Sequence, residues 1–185
     1  MSLSSTPEAA PLHRYPMARL IRFTLISLYL ALVLPLPVQA PTELRVWLWA
    51  ALPLGLAVVL ALVSEQVELS PTSIRVGHPA WCAWLLRRGW QLPWDQITGL
   101  TPVATSQGGR VFYVRTKDGS AYLLPQRVQA FEDFLSRFSQ ATGLDTGSIG
   151  RISPPWTYQL LATICILMLS GETIWLVKTL LTTRS

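Results

Sequence analysis

The chain has 185 residues, of which 50% are hydrophobic and only 14% charged, with a net charge of +5. So low a charged fraction, against roughly 25% in soluble domains, excludes an ordinary water-soluble globule. The positives are scattered, with no basic stripe and interleaved aromatics of the kind a nucleic-acid partner requires, so no nucleic acid is expected.

Residues 1–18 open Ser-, Pro- and Ala-rich, and the whole segment reads as a mobile N-terminal tail. Residues 23–42 and 46–64 contain no charged side chain. At 1.5 Å per helical residue, about 20 such residues match the ~30 Å hydrocarbon layer of a bilayer. Residues 19–64 are therefore a transmembrane helical hairpin. A basic region before an apolar run ending at Val38-Gln39-Ala40 has the outline of a cleavable signal. The run is longer than a signal core and a second span follows at once, so an uncleaved helix is expected. Pro35 and Pro37 fall near the far end of the first span, where their lost hydrogen bonds are most easily replaced. Residues 39–45 read as a tight connecting loop. Trp47 and Trp49 mark the interfacial start of the second span, and Pro53 with Gly55 predicts a kink or a close helix contact.

Residues 65–145 change character. Val67-Glu68-Leu69 and residues 73–77 alternate around the turn Ser70-Pro71-Thr72, and 89–92 and 99–103 are further short strands. Residues 111–115 are rich in β-branched and aromatic types, Lys117-Asp118-Gly119-Ser120 is a hairpin turn, and 121–124 complete the hairpin. Then Val128, Phe131, Leu135 and Phe138 recur at spacings of three and four, widened by Phe134 and stopped by Gly143. This is an amphipathic helix laying an aromatic face on a sheet. A linker (146–155), a third transmembrane helix (156–181) and a short tail (182–185) finish the chain.

Short strands closed by one C-terminal helix and tethered to a membrane hairpin resemble the bacterial pleckstrin-homology-like (PH-like) domain family. The residues that carry the likeness are Leu69-Ser70-Pro71-Thr72-Ser73-Ile74-Arg75-Val76 and Leu92-Pro93-Trp94-Asp95-Gln96-Ile97. The resemblance implies an α+β membrane protein: three transmembrane helices with a PH-like β-sandwich or barrel, plus its closing helix, inserted between spans two and three. It also implies a docking platform rather than a catalyst. Phosphoinositide recognition does not carry over, because Arg75 is the only positive near the first strand turn. A hairpin followed by a small β-rich domain is similar, more loosely, to the photosystem I assembly factors of cyanobacteria and plastids, from which the third span departs.

The most unusual local segment is residues 78–90, with Trp81, Trp84, Leu85, Arg87, Arg88 and Trp90. Trp and Arg give large contact areas, and arginines beside aromatics favour a membrane or partner boundary. The competing reading is that these tryptophans complete a small core and cover a sheet edge. Glu172, the one acidic residue embedded in an apolar segment, is expected near the far interface or against a polar group of a partner. His78 has no cluster with which to hold a metal, and no GxxxxGK[ST], GxGxxG or HExxH motif occurs. Cys82 and Cys165, one in the polar stretch and one in an apolar run, form no disulfide framework. No cofactor is expected.

These features predict a non-enzymatic membrane accessory or assembly factor. Its expected partners are membrane lipids and an integral-membrane protein complex, most concretely photosystem subunits, in a thylakoid or plasma membrane. The alternatives are a lipid-headgroup-sensing module using Arg87 and Arg88, and a small channel or carrier subunit built on Glu172. Arg14, Arg19 and Arg22 precede the first span, whereas Arg45 in the loop is offset by Glu43. The positive-inside rule therefore places the N-terminus and the polar domain on the cytoplasmic or stromal side.

Overall fold

The computed structural model describes residues 12–86, 89–106, 109–150 and 155–182. The protein is a mixed α+β chain divided into two compact units, with boundaries after residues 18, 63 and 152.

The first unit contains two antiparallel sheets and a helix. One sheet has the order β1 (His13–Pro16), β2 (Gln66–Leu69), β3 (Ser73–Gly77), β4 (Trp90–Pro93). The other is the meander β5 (Ile97–Ala104), β6 (Arg110–Thr116), β7 (Ala121–Leu123). Alternation drives both: Val67, Leu69, Ile74, Val76, Leu92, Phe112 and Val114 point inward and are buried, while their neighbours face out. The β2–β3 turn is held by Ser70, whose backbone N–H donates to the Ser73 carbonyl (2.9 Å) and whose Oγ accepts from the Ser73 N–H (2.9 Å). The Trp94 indole then donates to the Ser70 carbonyl (2.9 Å), so the Leu92-Pro93-Trp94 corner is seated on that turn. In the β6–β7 hairpin, Asp118 accepts from Thr116 Oγ1 and from the Ser120 N–H (3.1 Å), and Gly119 takes the left-handed conformation (φ +82°) that side chains resist.

A helix, α4 (Phe131–Thr142), covers the inner faces. Phe131, Phe134, Leu135 and Phe138 form its buried stripe, and left-handed Gly143 ends it. Phe134 meets the Tyr15 ring at 5.6 Å, and Phe138 meets Trp94 edge-on at 5.8 Å. The helix starts three residues later than the Val128 end of the predicted stripe. Residues 127–129 are committed to β-type pairing instead: the Ala18 N–H donates to the Arg127 carbonyl and the Gln129 N–H to the Pro16 carbonyl, both at 2.8 Å.

That pairing also corrects the expectation of a mobile tail through residue 18. His13–Pro16 is an edge strand in register with β2, and Tyr15 is buried in the core. Pro16, which cannot donate, is tolerated because it ends an edge strand. The Tyr15 hydroxyl donates to Asp133 Oδ2 (2.5 Å), and Arg137 Nε donates to the same oxygen (3.0 Å).

The second unit contains α1 (Arg19–Val33), the short α2 (Pro35–Gln39), α3 (Thr42–Leu62) and α5 (Pro155–Thr182). Three helical stretches, Arg19–Gln39, Thr42–Leu62 and Trp156–Lys178, are long and apolar enough to cross a membrane. The expected loop over 39–45 is shorter than predicted, because Pro41 at the N-cap starts α3 at Thr42. Helix α1 packs on α5 through a seam of small residues, Thr24, Ser27 and Ala31 facing Ala162 and Cys165, all buried. Small seams bring helices close where apolar burial gives no net drive. Thr24 donates to its own helix at the Leu20 carbonyl (2.8 Å) and lies 3.2 Å from the Tyr158 carbonyl. On the other side Tyr29 reaches α3, its hydroxyl donating to the Leu52 carbonyl (2.7 Å) and lying where a side chain on residue 55 would sit. Gly55 therefore serves the close helix contact that its position beside Pro53 predicts.

Two predictions follow from the first unit's core. Phe134→Ala deletes its most central ring and is expected to cost about 3–5 kcal/mol, read from denaturant unfolding followed by near-ultraviolet circular dichroism. Burial, and then the Asp133 carboxylate, push the Tyr15 phenol up to about 12. The neutral phenol is the favoured form, so its contribution is whole below pH 10 and lost as pH rises through 12. Alkaline spectrophotometric titration should show one phenol ionising near 12, and Tyr15→Phe should remove that component.

Candidate interaction surface

The segment after β3 folds into a compact turn rather than a strand. The Cys82 and Ala83 N–H groups donate to the Pro79 carbonyl (3.1 and 3.0 Å), and the Leu85 and Leu86 N–H groups donate to the Cys82 carbonyl (3.0 and 3.2 Å). Cys82 points inward, 1% exposed, with its Sγ 3.2 Å from Ser64 Oγ and 3.6 Å from the Pro79 carbonyl. With the turn's one inward side chain so held, its large apolar groups face out. Trp84 is 81% exposed, Trp81 57% and Leu85 51%. The Trp84 indole donates to the Trp81 carbonyl (3.0 Å), which fixes the Trp84 ring against the backbone of the turn. An ordinary surface rarely sets three such groups on one turn, and a contiguous apolar patch marks a contact with protein or lipid.

Of the residues singled out from sequence, the turn brings together Trp81, Trp84 and Leu85. Trp90 does not join them. It belongs to β4, pairs across from Val76 and packs on Tyr122 at 5.4 Å, against the core. Strand alternation turns it to the inner side, so for Trp90 the core reading holds. Arg87 and Arg88 lie outside the described residues.

The turn re-enters the sheet through Gly89. A Cβ there would collide with the Val76 carbonyl oxygen and lie 2.7 Å from Gly77 Cα, so only glycine lets β4 rejoin β3 this closely. Beside the turn is a cleft of about 520 Å³ lined by Arg14, Gln66, Glu68, Arg75 and His78 among others. The β1–β2–β3 register sets Arg14, Glu68 and Arg75 in one row. Glu68 bridges both guanidiniums, at 3.2 Å from Arg14 Nε and 3.7 Å from an Arg75 terminal nitrogen. Arg75 thus has a second positive group nearby, which the linear sequence hides because Arg14 belongs to a strand 50 residues away from β2. His78 Nδ1 is buried in the same region without a hydrogen-bond partner.

Glu172 stands on α5 beside Gly171, Thr173, Trp175 and Leu176, and it faces Leu34, Pro35, Val38 and Gln39 across a cavity of about 470 Å³. Its Oε2 is buried with no hydrogen-bond partner. Among the described residues no group of three His, Cys, Asp or Glu side chains converges as a metal site.

Fold and surface together define an α+β protein whose three long apolar helices suit a membrane and whose β-unit displays a tryptophan-bearing turn. The chain is 39% identical over 164 residues to the "Uncharacterized protein slr0269" of Synechocystis sp., an alignment covering 85% of this chain and 82% of the relative. It belongs to the family of that cyanobacterial protein. No family model matches.

The turn's geometry rests on Gly89. Gly89→Val should push β4 from β3 and loosen the turn, so that Cys82, enclosed in the wild type, reacts at least tenfold faster with a maleimide. An unchanged labelling rate would show that the turn holds itself without the close strand approach.

Proposed function

We propose that the protein is a non-enzymatic integral-membrane accessory factor that docks on another membrane protein complex through Trp81, Trp84 and Leu85. The observation that carries this reading is the hydrogen-bonded turn with three large apolar side chains facing out over a buried Cys82. A preorganised apolar anchor loses little conformational freedom on binding, and buried Trp residues dominate the energetics of interfaces. Cys82 also ties the turn to Ser64 of the same unit, which helps hold the turn in shape.

The β-unit is read as a PH-like platform. A four-stranded and a three-stranded antiparallel sheet closed by one C-terminal helix support that reading. Its expected side is cytoplasmic or stromal, from Arg14, Arg19 and Arg22 ahead of the first span. A photosynthetic complex in a thylakoid membrane is the most concrete partner we propose, a choice compatible with the cyanobacterial origin of the relative. The non-catalytic assignment rests on the absence of nucleophile, phosphate-binding and metal motifs from the sequence.

Affinity purification of the full-length protein from native membranes, followed by native electrophoresis, tests this reading. A membrane protein should co-migrate in fixed proportion with the wild type and be lost with Trp81→Ala/Trp84→Ala. No reproducible partner, or one indifferent to both tryptophans, would sink the proposal. A lipid-headgroup-sensing role is the second reading, favoured by Arg14 and Arg75 on one cleft, although Glu68 neutralises part of their charge. It requires salt-sensitive binding to anionic liposomes that the double variant Arg14→Ala/Arg75→Ala abolishes.

A further inference from the structure

The α1–α5 seam does not close at its far end. Down to Ala31 the two helices are held together by small buried residues. The next positions on that face are Leu34, Pro35 and Val38, and there α1 gives way to α2. Pro35 and Pro37 have no N–H to offer the Ala31 and Val33 carbonyls, so the helix breaks and the seam opens into the cavity of about 470 Å³. That volume is within the roughly 300–1,000 Å³ of small-ligand sites. Glu172 continues the seam on α5 and lines this opening, and its Oε2 is buried without a hydrogen-bond partner. A carboxylate oxygen shut away from water and from other polar groups calls for a donor.

Three observations identify what supplies it. The first is depth. Gln39 ends the first span, next to the hairpin that starts α3, and Glu172 lies about 25 Å along α5 from Pro155 at 1.5 Å per residue. The cavity is therefore at the level where headgroups meet a ~30 Å hydrocarbon layer. The second is charge: among the described residues no Lys or Arg lines it, so Glu172 repels a phosphate-bearing group. The third is the donor and acceptor set. The Gln39 amide both gives and accepts hydrogen bonds, Glu172 accepts, and the Trp175 indole lines the wall. A hydroxyl also both gives and accepts, and a polyol carries apolar C–H faces that an indole covers, whereas an ammonium only donates.

From this we infer that the cavity between α2 and α5 is a lipid site that takes an uncharged polyhydroxyl headgroup, with hydroxyls donating to Glu172. The apolar walls of Leu34, Pro35 and Val38 receive the start of the lipid's chains. The site is independent of the tryptophan turn, so it stands or falls separately from the docking role.

Native mass spectrometry of the full-length, delipidated protein in detergent tests it. The probes are a glucosyl diacylglycerol, a phosphatidylglycerol and a phosphatidylethanolamine with the same acyl chains. The wild type should hold one glucosyl lipid at least tenfold more tightly than either phospholipid. Glu172→Leu should erase that preference, and Glu172→Gln, which keeps an acceptor oxygen, should weaken it only severalfold. Leu34→Trp, which fills the cavity and leaves the carboxylate in place, should reduce glucosyl-lipid binding tenfold or more. Equal binding of the three lipids, a preference for the ethanolamine lipid, or indifference to both Glu172→Leu and Leu34→Trp would each overturn the assignment. So would no retained lipid at all, which would leave Glu172 to a polar group of a partner helix.

Discussion

Two small sheets of four and three strands cannot bury their inner faces by themselves, and the first unit depends on the aromatic stripe of α4 to do so. Phe131, Phe134 and Phe138 are each almost completely enclosed. Tyr15 from the first strand and Trp94 from the corner before β5 meet that stripe at 5.6 and 5.8 Å. Tyr15 is drawn inward by the ring of Phe134 and kept there by Asp133 from the same helix, so α4 orders the N-terminal strand as well as covering the sheets. Because β1 is ordered, Arg14 comes into line with Glu68 and Arg75. Because β3 and β4 are clamped beneath the helix, the turn that leaves one and enters the other is free to aim its tryptophans outward.

In the helical unit the governing constraint is that polar groups in an apolar layer must find partners inside the protein. Thr24 returns its hydroxyl to the Leu20 carbonyl, Thr163 and Ser170 do the same within α5, and Tyr29 reaches across to the Leu52 carbonyl. Gly55 makes that last crossing possible. Among the described residues of this unit, Glu172 Oε2 is a buried oxygen without such a partner, and the residue stands where paired prolines part α2 from the α1 line. A seam of small residues that ends at a helix break leaves a space, and Glu172 lines that space.

Much of this was legible in the chain because each signal is local. Uncharged runs mark the three long helices, period-two alternation marks β2, β3 and β6, and the Phe131, Phe134, Phe138 spacing with Gly143 marks α4. The exposed turn was legible in part: Trp81, Trp84 and Leu85 stand out by composition, and they are the ones that face outward. Trp90 carries the same composition signal but has the opposite fate, since its side is decided by its register opposite Val76. The first strand was hidden. Its four residues precede a span, and their basic side chains satisfy the positive-inside pattern just as well as they satisfy a sheet edge.

The sequence by itself therefore determined the order of elements, the long apolar helices and the aromatic closing helix, because hydrophobic period and length act over a few consecutive residues. Tertiary structure alone decided that residues 13–16 join a sheet, since the strand's partners lie 50 to 56 residues away in β2. It alone decided that Val128 is spent on pairing with Met17 rather than on the helix. It also decided which tryptophans face out, and that Glu172 meets a cavity instead of a neighbour. In each case the outcome depends on which distant backbone or side chain arrives to satisfy a polar group or fill a space.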